Sequence, residues 1–370
     1  MAPASSLLAL IIFLMIPQAF YFIKIARPEM MVTLFGFASF VLLFRDVQSS
    51  GWKYILLAGV CAGAAMMSHL NGAIFVGSGI VILALQKKFL QAIVFALAAA
   101  LVLTPYIFDI AANFELFKLQ ISNSYVASKT QLSIFAPLIN LSREHQRLFR
   151  KPEIILPMIL FLVSLIANWK HADPTRKFLR TYCIVLMVLF GMLVEDKTVK
   201  YSTYLAPFWA IMIVDAIPAL LGKRTPWKIV TGSITIGFVL FSLYYQTNDI
   251  LNKKRYVALN RAIGSYLPEG VWCVAPLNFM FNEIERVNII SNELVRLETN
   301  NQPTSDHLAA FCDRKGASYL VFNKYGERID DISDLTTDRA HVLTLFDIVT
   351  ENKDFMVFRR KSAARSIQMH

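Results

Sequence analysis

Two lysine side chains stand three residues apart in the stretch 195–207, directly before an apolar segment. In a helical turn, residues at this spacing lie on one face. Two ammonium groups beside an apolar helix suit a lipid phosphate, whose anion lies at the membrane edge. The same residues, Lys197 and Lys200, also fit a second interpretation as helix anchors that extend to the headgroups. Tyr201 has the corresponding alternative of an interfacial aromatic residue.

Further polar residues interrupt or end other apolar runs. Arg27 and Glu29 form a charged turn between two runs, where Arg27 fits either an anion ligand or a helix anchor. Asp109 ends a later run, and a carboxylate there fits either a general base or a solvated helix end. His69 and Asn71 separate two runs, and a lone histidine there fits a capping residue as well as a ligand. These residues form a site only if the chain brings them to one membrane face.

The composition is that of a membrane protein. Of the 370 residues, 56% are hydrophobic and 17% are charged, with a mean hydropathy of +0.49. A soluble domain carries roughly 25% charged residues. The net charge of +11 comes with no basic helix, zinc pattern or RNA-binding aromatic motif, so we expect no nucleic acid partner. The four cysteines have no metal spacing, and Cys273 and Cys312 could pair if the polar tail lies outside the cytoplasm.

Nine apolar runs follow one another before that tail. They are 7–22, 30–44, 54–68, 73–85, 89–108, 154–167, 178–194, 203–221 and 229–245. We divide the stretch 54–85 in two, because a single helix of that length would extend about 48 Å across a hydrocarbon core of ~30 Å. The sequence therefore predicts an α-helical polytopic protein with about nine transmembrane helices.

The positions of the basic loops predict the topology of the chain in the membrane. With two helices in 54–85, the basic loops at 45–53, 87–88, 170–180 and 223–228 all fall on one side. The positive-inside rule makes this side cytoplasmic. The opposite side then receives the turns at 27–29, 69–71 and 195–201, the loop 109–152 and the tail. We therefore expect the polar residues above to converge on the non-cytoplasmic face.

The tail has the composition of a small globular domain. We predict a transmembrane domain over 1–246 and an extracytoplasmic α/β domain over 247–370. In the tail, the patterns predict helices over 256–266 and 304–315, with Gly316 as a helix stop. Strands are predicted over 271–275, 318–322 and 355–359.

Several short motifs occur in a recognisable order. Ala26-Arg-Pro-Glu29 opens an apolar helix, Gly59-Val-Cys-Ala-Gly63 leads to His69-Leu-Asn-Gly72, and Leu103-Thr-Pro-Tyr106 precedes an outer loop. Lys197, Lys200, Tyr201, Tyr204 and Pro207 then lead into a late helix. This order resembles the polytopic GT-C glycosyltransferases related to protein O-mannosyltransferases and the bacterial lipid A aminoarabinose transferase. The resemblance covers the membrane portion, and the tail is similar to their variable extracytoplasmic domains in type.

The resemblance implies an inverting glycosyltransferase in the inner or plasma membrane. Its donor would be a polyprenyl-phosphate sugar rather than a separate cofactor, and its acceptor a glycan, a lipid or a protein. The implied donor-phosphate contacts are Arg27, Lys197 and Lys200. We assign a sugar or acceptor site to His69, Asn71 and Tyr201, a catalytic carboxylate to Glu29 or Asp109, and no metal site.

The sequence also departs from the class. Its members begin with a helix and an outer loop that bears the acidic base, whereas here the Arg27–Glu29 turn follows a single apolar run. The resemblance implies that two helices and that loop are lacking. Two other functions stay open, a transporter or flippase of lipid-linked saccharides and a non-catalytic scaffold. Transporters usually carry ionisable residues near the membrane midplane, and Asp215 is the one candidate for such a position.

Overall fold

The chain forms two compact units, Met1–Asp249 and Ile250–His370, as seen in a computed structural model. The structure describes residues 3–23, 28–49, 51–115, 118, 135–167, 169, 173–195, 197–222, 225–276, 279, 283–298, 304–323 and 339–361. The sequence places the corresponding boundary after residue 246. The boundary between the two units falls inside the last helix of the apolar portion.

Helices occupy all nine apolar runs, and the described residues contain two further short helices between the fifth and the sixth run. In chain order, the helices are α1 (Pro3–Met15), α2 (Pro17–Ile23), α3 (Pro28–Ser49), α4 (Trp52–Ser68), α5 (Ala73–Leu85), α6 (Phe89–Ala112), α7 (Ala136–Ser142), α8 (His145–Leu148), α9 (Pro152–Ala167), α10 (Pro174–Leu193), α11 (Ala206–Leu221) and α12 (Thr225–Gly264). Short 3-10 segments, Leu70–Gly72 and Val199–Tyr204, precede α5 and α11. The stretch 54–85 forms two helices, as predicted. The first run is also two helices, because Pro17 disfavours a helical conformation at Ile16 and starts α2.

Among the residues that the structure describes, three helical segments are long and apolar enough to cross a membrane. They are Pro28–Asp46, Phe89–Ala112 and Lys228–Gly264. Five other apolar helices are shorter, over Ala4–Met15, Trp52–Ser68, Leu70–Leu85, Pro152–Ala167 and Ala206–Leu220. A full span takes about 20 residues. The helices agree with a membrane protein, and the count of nine spans stays a prediction.

Helices α4 and α6 pack closely through two glycines one helical turn apart. A Cβ atom added to Gly59 would lie 2.4 Å from the carbonyl oxygen of Phe95, and one added to Gly63 would lie 2.6 Å from that of Ala99. These distances are far below van der Waals contact. In membrane helices, small residues at this spacing let two backbones approach each other.

The glycine contact predicts the effect of one added methyl group. We expect Gly59→Ala to separate α4 from α6 and to destabilise the first unit by about 1–3 kcal/mol, as overpacking does. Gly237→Ala is the matched control, because a Cβ atom at Gly237 has nothing within 4 Å. That control should leave stability unchanged or raise it by up to about 1 kcal/mol. Thermal unfolding in detergent measures both, and equal stabilities of the two variants would contradict the close contact.

The second unit contains a five-stranded mixed sheet with strand order β2-β1-β3-β5-β4. Its strands are β1 (Trp272–Ala275), β2 (Asn288–Ser291), β3 (Tyr319–Asn323), β4 (Phe346–Glu351) and β5 (Phe355–Arg360). β1 pairs in parallel with β2 and β3, and β5 pairs antiparallel with β3 and β4. Helices α13 (Asn292–Glu298), α14 (Ser305–Lys315) and α15 (Arg339–Leu345) complete the unit.

This unit agrees with the predicted α/β tail. The strands at 271–275, 318–322 and 355–359 correspond to β1, β3 and β5, and Gly316 ends α14 in the left-handed conformation with φ of 69°. Two strands, β2 and β4, are absent from the prediction. β2 is a short edge strand with no fully buried residue, and β4 follows α15 without an intervening turn.

Cys273 and Cys312 are both free and buried. They belong to different cores on the two faces of the sheet, because Cys273 packs with Val321 and Val357, whereas Cys312 packs with Val274 and Leu320. Alternate residues of a strand point to opposite faces. The Cys273–Cys312 disulfide, which the sequence leaves as a possibility, is therefore not formed.

The buried thiols should be unreactive while the second unit is folded. Burial raises the pKa of Cys273 and of Cys312 to about 12, so little nucleophilic thiolate exists at neutral pH. We expect both residues to resist alkylation by N-ethylmaleimide in the native protein and to react after denaturation, as read by peptide mass spectrometry. Recovery of a linked Cys273–Cys312 peptide pair would contradict this arrangement.

Candidate functional site

Polar side chains from three parts of the chain meet at one end of the first unit. α3 begins there, α4 ends there, and the 3-10 segment Val199–Tyr204 leads into α11. We call this group the rim cluster, and its members are Glu29, His69, Asn71, Lys200, Tyr201 and Tyr204. Six of the predicted or motif residues are thus neighbours in the structure.

The aromatic side of the rim cluster begins at His69. This residue leaves α4 in an extended conformation, and its Nδ1 accepts a hydrogen bond from the backbone N–H of Asn71 at 3.1 Å. The His69 ring lies 5.7 Å from the Tyr201 ring, which in turn lies 5.7 Å from the Tyr204 ring. Lys200 places its Nζ 4.6 Å from the centre of the Tyr201 ring. Such a cation–π contact is favourable at a partly exposed site.

The acidic member of the rim cluster is Glu29. It lies in the first turn of α3, where the helix dipole favours a negative charge, and it is only 2% exposed. Its carboxylate acts electrostatically on the fully buried Tyr204, whose hydroxyl lies beside the Asn71 side chain. The side-chain hydroxyl of Thr33 donates a hydrogen bond to the backbone carbonyl of Glu29 at 2.8 Å. The Glu29 carboxylate and the Glu29 backbone carbonyl thus both interact with neighbouring side chains in the first turn of α3.

Lys197 lies next to the rim cluster and binds protein oxygens. Its Nζ donates to Glu144 Oε2 at 2.8 Å, to the carbonyl of Gly191 at 3.0 Å and to the carbonyl of Val194 at 3.0 Å. An ammonium group has three donors, so these contacts use all of them. Burial lowers the pKa of Lys197, and the hydrogen bond to Glu144 opposes that shift.

A fully buried arginine completes this arrangement. Arg147 donates from Nη2 to the Val194 carbonyl at 2.7 Å, and its Nη1 lies 3.3 Å from Glu144 Oε1. Its guanidinium lies 4.0 Å from the centre of the Phe190 ring. We call Glu144, Arg147 and Lys197 the clamp. The clamp joins the region around α8 to the end of α10.

The structure separates the predicted site residues into three groups. Glu29, His69, Asn71, Lys200 and Tyr201 lie in the rim cluster, with Lys197 adjoining them. Asp109 is exposed near the end of α6, where its Oδ1 accepts a hydrogen bond from Asn113 at 3.0 Å. In the part of the chain that the structure describes, no recorded contact links Asp109 to the rim cluster. Arg27 lies outside the described residues.

Sequence reasoning missed Glu144 and Arg147. Both lie in the predicted outer loop 109–152, outside the nine apolar runs. The one available signal was their spacing of three residues with opposite charge, which is typical of neighbours on a helical turn. Such pairs are usually solvated, so the spacing alone does not predict burial.

The opposite end of the first unit has its own ion pairs. Lys88 Nζ lies 2.7 Å from Asp46 Oδ2, and Asp46 Oδ1 accepts a hydrogen bond from the backbone of Gly51 at 3.1 Å. Arg176 Nε lies 3.1 Å from Asp215 Oδ1. Both ion pairs lie away from the rim cluster, because α3 runs from Glu29 to beyond Asp46 and α10 runs from near Arg176 towards Val194.

An apolar groove of about 440 Å³ lies between α1, α3 and α11. Its lining is apolar apart from Ser6 and Thr33, and it includes Leu10, Leu34 and Ala210. One end of the groove borders the rim cluster, because Met30 and Thr33 follow Glu29 on α3, and Pro207 follows Tyr204. The structure thus combines a lipophilic groove with a polar, partly cationic cluster at its end.

No protein-family model matches this sequence, and no curated protein sequence matches it. Within the described residues, no group of three histidine, cysteine or acidic side chains is arranged to hold a metal ion. The functional argument therefore depends on the rim cluster, the clamp and the groove.

The rim cluster and the Asp46–Lys88 pair lie at opposite ends of the first unit. This arrangement predicts which pairs of introduced cysteines can be cross-linked. In a variant lacking the four native cysteines, His69→Cys with Tyr201→Cys should react with a short bifunctional thiol reagent, because their rings are in contact. Lys88→Cys with Tyr201→Cys should not react, since α5 alone separates the ends by about 20 Å. Peptide mass spectrometry detects the products. A linked 88–201 pair, or no linked 69–201 pair, would contradict this fold.

Proposed function

We propose that this protein is a membrane glycosyltransferase that moves a sugar from a polyprenyl-phosphate donor to an acceptor. The observation that carries the proposal is the apolar groove, which ends beside the rim cluster with its lysine. A prenyl chain suits the groove, and its phosphate then lies where the polar side chains gather. A polyprenyl-phosphate sugar combines a long apolar chain with an anionic phosphate.

The proposed reaction assigns a separate task to each charge. The acceptor hydroxyl oxygen forms a bond to the anomeric carbon, while the bond from that carbon to the phosphate oxygen breaks. Lys200, together with the predicted ligand Arg27, stabilises the negative charge that develops on the leaving phosphate. A carboxylate opposite the leaving group takes the hydroxyl proton, as inversion requires.

Glu29 is the carboxylate that we assign as the base. It lies within the rim cluster, whereas Asp109 lies on an exposed helix surface. At 2% exposure Glu29 is covered, so an acceptor reaches it only after a movement of the residues around it. Asp109 is the second candidate, because it is accessible without such a movement.

Our proposal retains the threading that charge predicts. The ion pairs Asp46–Lys88 and Arg176–Asp215 face the cytoplasm, nine helices cross the membrane, and the rim cluster faces the other side. The α/β unit is then extracytoplasmic, and the acceptor is a glycan, a lipid or a protein on that side. Transfer outside the cytoplasm agrees with a donor that is carried in the membrane.

A transporter or flippase is the competing function, and Asp215 was its main support. This carboxylate is paired with Arg176 at 3.1 Å, which gives it a structural role near the beginning of α10. Buried acids in transporters typically change partner or protonation as they work. The ion pair therefore favours the glycosyltransferase over transport.

Filling the groove tests the proposal. Leu34 lines the groove and is 59% exposed, while Leu97 of α6 is 64% exposed and lies outside it. We expect Leu34→Trp to raise the KM for a polyprenyl-phosphate sugar several-fold and to leave kcat unchanged, because the larger ring occupies the space of the chain. Leu97→Trp should match the wild type.

The assay follows transfer of a radiolabelled sugar, offered as mannose or aminoarabinose on a polyprenyl phosphate, by the full chain in lipid vesicles. Equal KM values for the Leu34 and Leu97 variants would remove the groove from the donor site. Absence of transfer by the wild-type protein with both donors, and transbilayer movement of the lipid instead, would support a flippase.

A further inference from the structure

Building on the proposed function, we propose that Lys197 is a positioning residue rather than a phosphate ligand. Together with Glu144 and Arg147, it holds the 3-10 segment Val199–Tyr204 in place, so that Lys200 is the lysine that meets the donor phosphate. The sequence treats the two lysines as an equivalent pair on one helical face. The structure gives them different tasks.

The contacts of Lys197 carry this inference. Its three protons are directed at Glu144 Oε2, the Gly191 carbonyl and the Val194 carbonyl, all within 3.0 Å, and the side chain is 11% exposed. A phosphate could bind Lys197 only by displacing one of these acceptors. A displaced acceptor would stay buried and lose its hydrogen bond, which is costly.

The charges of the clamp explain why it holds together. The Glu144 carboxylate lies between two cations, at 2.8 Å from Lys197 and 3.3 Å from Arg147. The remaining positive charge faces the carbonyls of Gly191 and Val194 at the carboxyl end of α10. A helix carboxyl terminus carries a partial negative charge. Removing Glu144 leaves two buried cations without their carboxylate, and removing either cation leaves Glu144 with one partner instead of two, so each loss is costly.

The clamp reaches the 3-10 segment through aromatic contacts. Arg147 packs on the Phe190 ring, and the edge of this ring meets Tyr204 at a centroid distance of 6.2 Å. Tyr204 contacts Tyr201, the ring over which Lys200 lies. Because the clamp fixes the end of α10 and Lys197, it also fixes the backbone of the segment Val199–Tyr204, which carries Lys200.

The experiment compares binding of farnesyl phosphate and of farnesol to the full chain in nanodiscs. The difference between their Kd values reports phosphate recognition, which a purely structural substitution does not change. Lys53→Gln is the matched control for Lys200→Gln, because Lys53 Nζ likewise lies over the ring of the next residue, Tyr54, at 5.2 Å. Thermal unfolding is measured for every variant.

We expect Lys200→Gln to weaken farnesyl phosphate binding by about tenfold or more, as loss of a charged hydrogen bond does, with farnesol binding unchanged. Lys197→Gln should lower the unfolding temperature and keep the difference between the two ligands. Glu144→Gln, a second variant that leaves the lysine in place, should behave like Lys197→Gln. Lys53→Gln should match the wild type.

A double variant tests whether the clamp acts as a unit. If Lys197 and Glu144 stabilise each other, Lys197→Gln with Glu144→Gln lowers the unfolding temperature less than the two single effects added together. Loss of phosphate recognition in Lys197→Gln at unchanged stability would overturn the inference and leave the donor site standing. A wild-type protein that binds farnesyl phosphate and farnesol equally would instead overturn the donor site, and the role of Lys200 with it.

Discussion

A charge inside an apolar helix bundle has to be neutralised by other protein groups, because no water reaches it. Arg147 shows the constraint most clearly, since its side chain is 0% exposed and has a carboxylate, a carbonyl and a ring face around it. Asp46 obeys the same constraint at the other end of the bundle, at 1% exposure and against Lys88. The ionic residues are consequently gathered at the two helix ends, and the bundle between them is apolar.

Most of the helices could be predicted from the sequence, because long apolar runs bounded by charged residues are typical of buried or membrane-spanning helices. The interruption at Pro17 was missed, although the proline itself disfavours a helical conformation at Ile16. In the α/β unit, the buried strands carry strong apolar patterns. β2 and β4 alternate buried and exposed residues poorly, and their place depends on neighbouring strands that are distant in sequence.

The rim cluster was predictable in part, and for a physical reason. Counting basic loops fixes which turns share a side, and this brings His69 and Tyr201 together although 132 residues separate them. The count says nothing about which side chains then pair. Lys197 and Lys200 look equivalent in sequence, and only the positions of Glu144 and two carbonyls distinguish them. Asp109 is a second example. The count of basic loops places it on the same side as the rim cluster, but within the described residues no contact joins it to that cluster.

The clamp also has a consequence for how the protein is made. Glu144 and Arg147 leave the ribosome about 50 residues before Val194 and Lys197, their principal partners. During that interval the arginine has no partner from α10 and has to stay hydrated. The loop that carries it can reach its final place in the bundle only after α10 has been synthesised. Assembly of this end of the protein is therefore ordered in time by a single buried guanidinium.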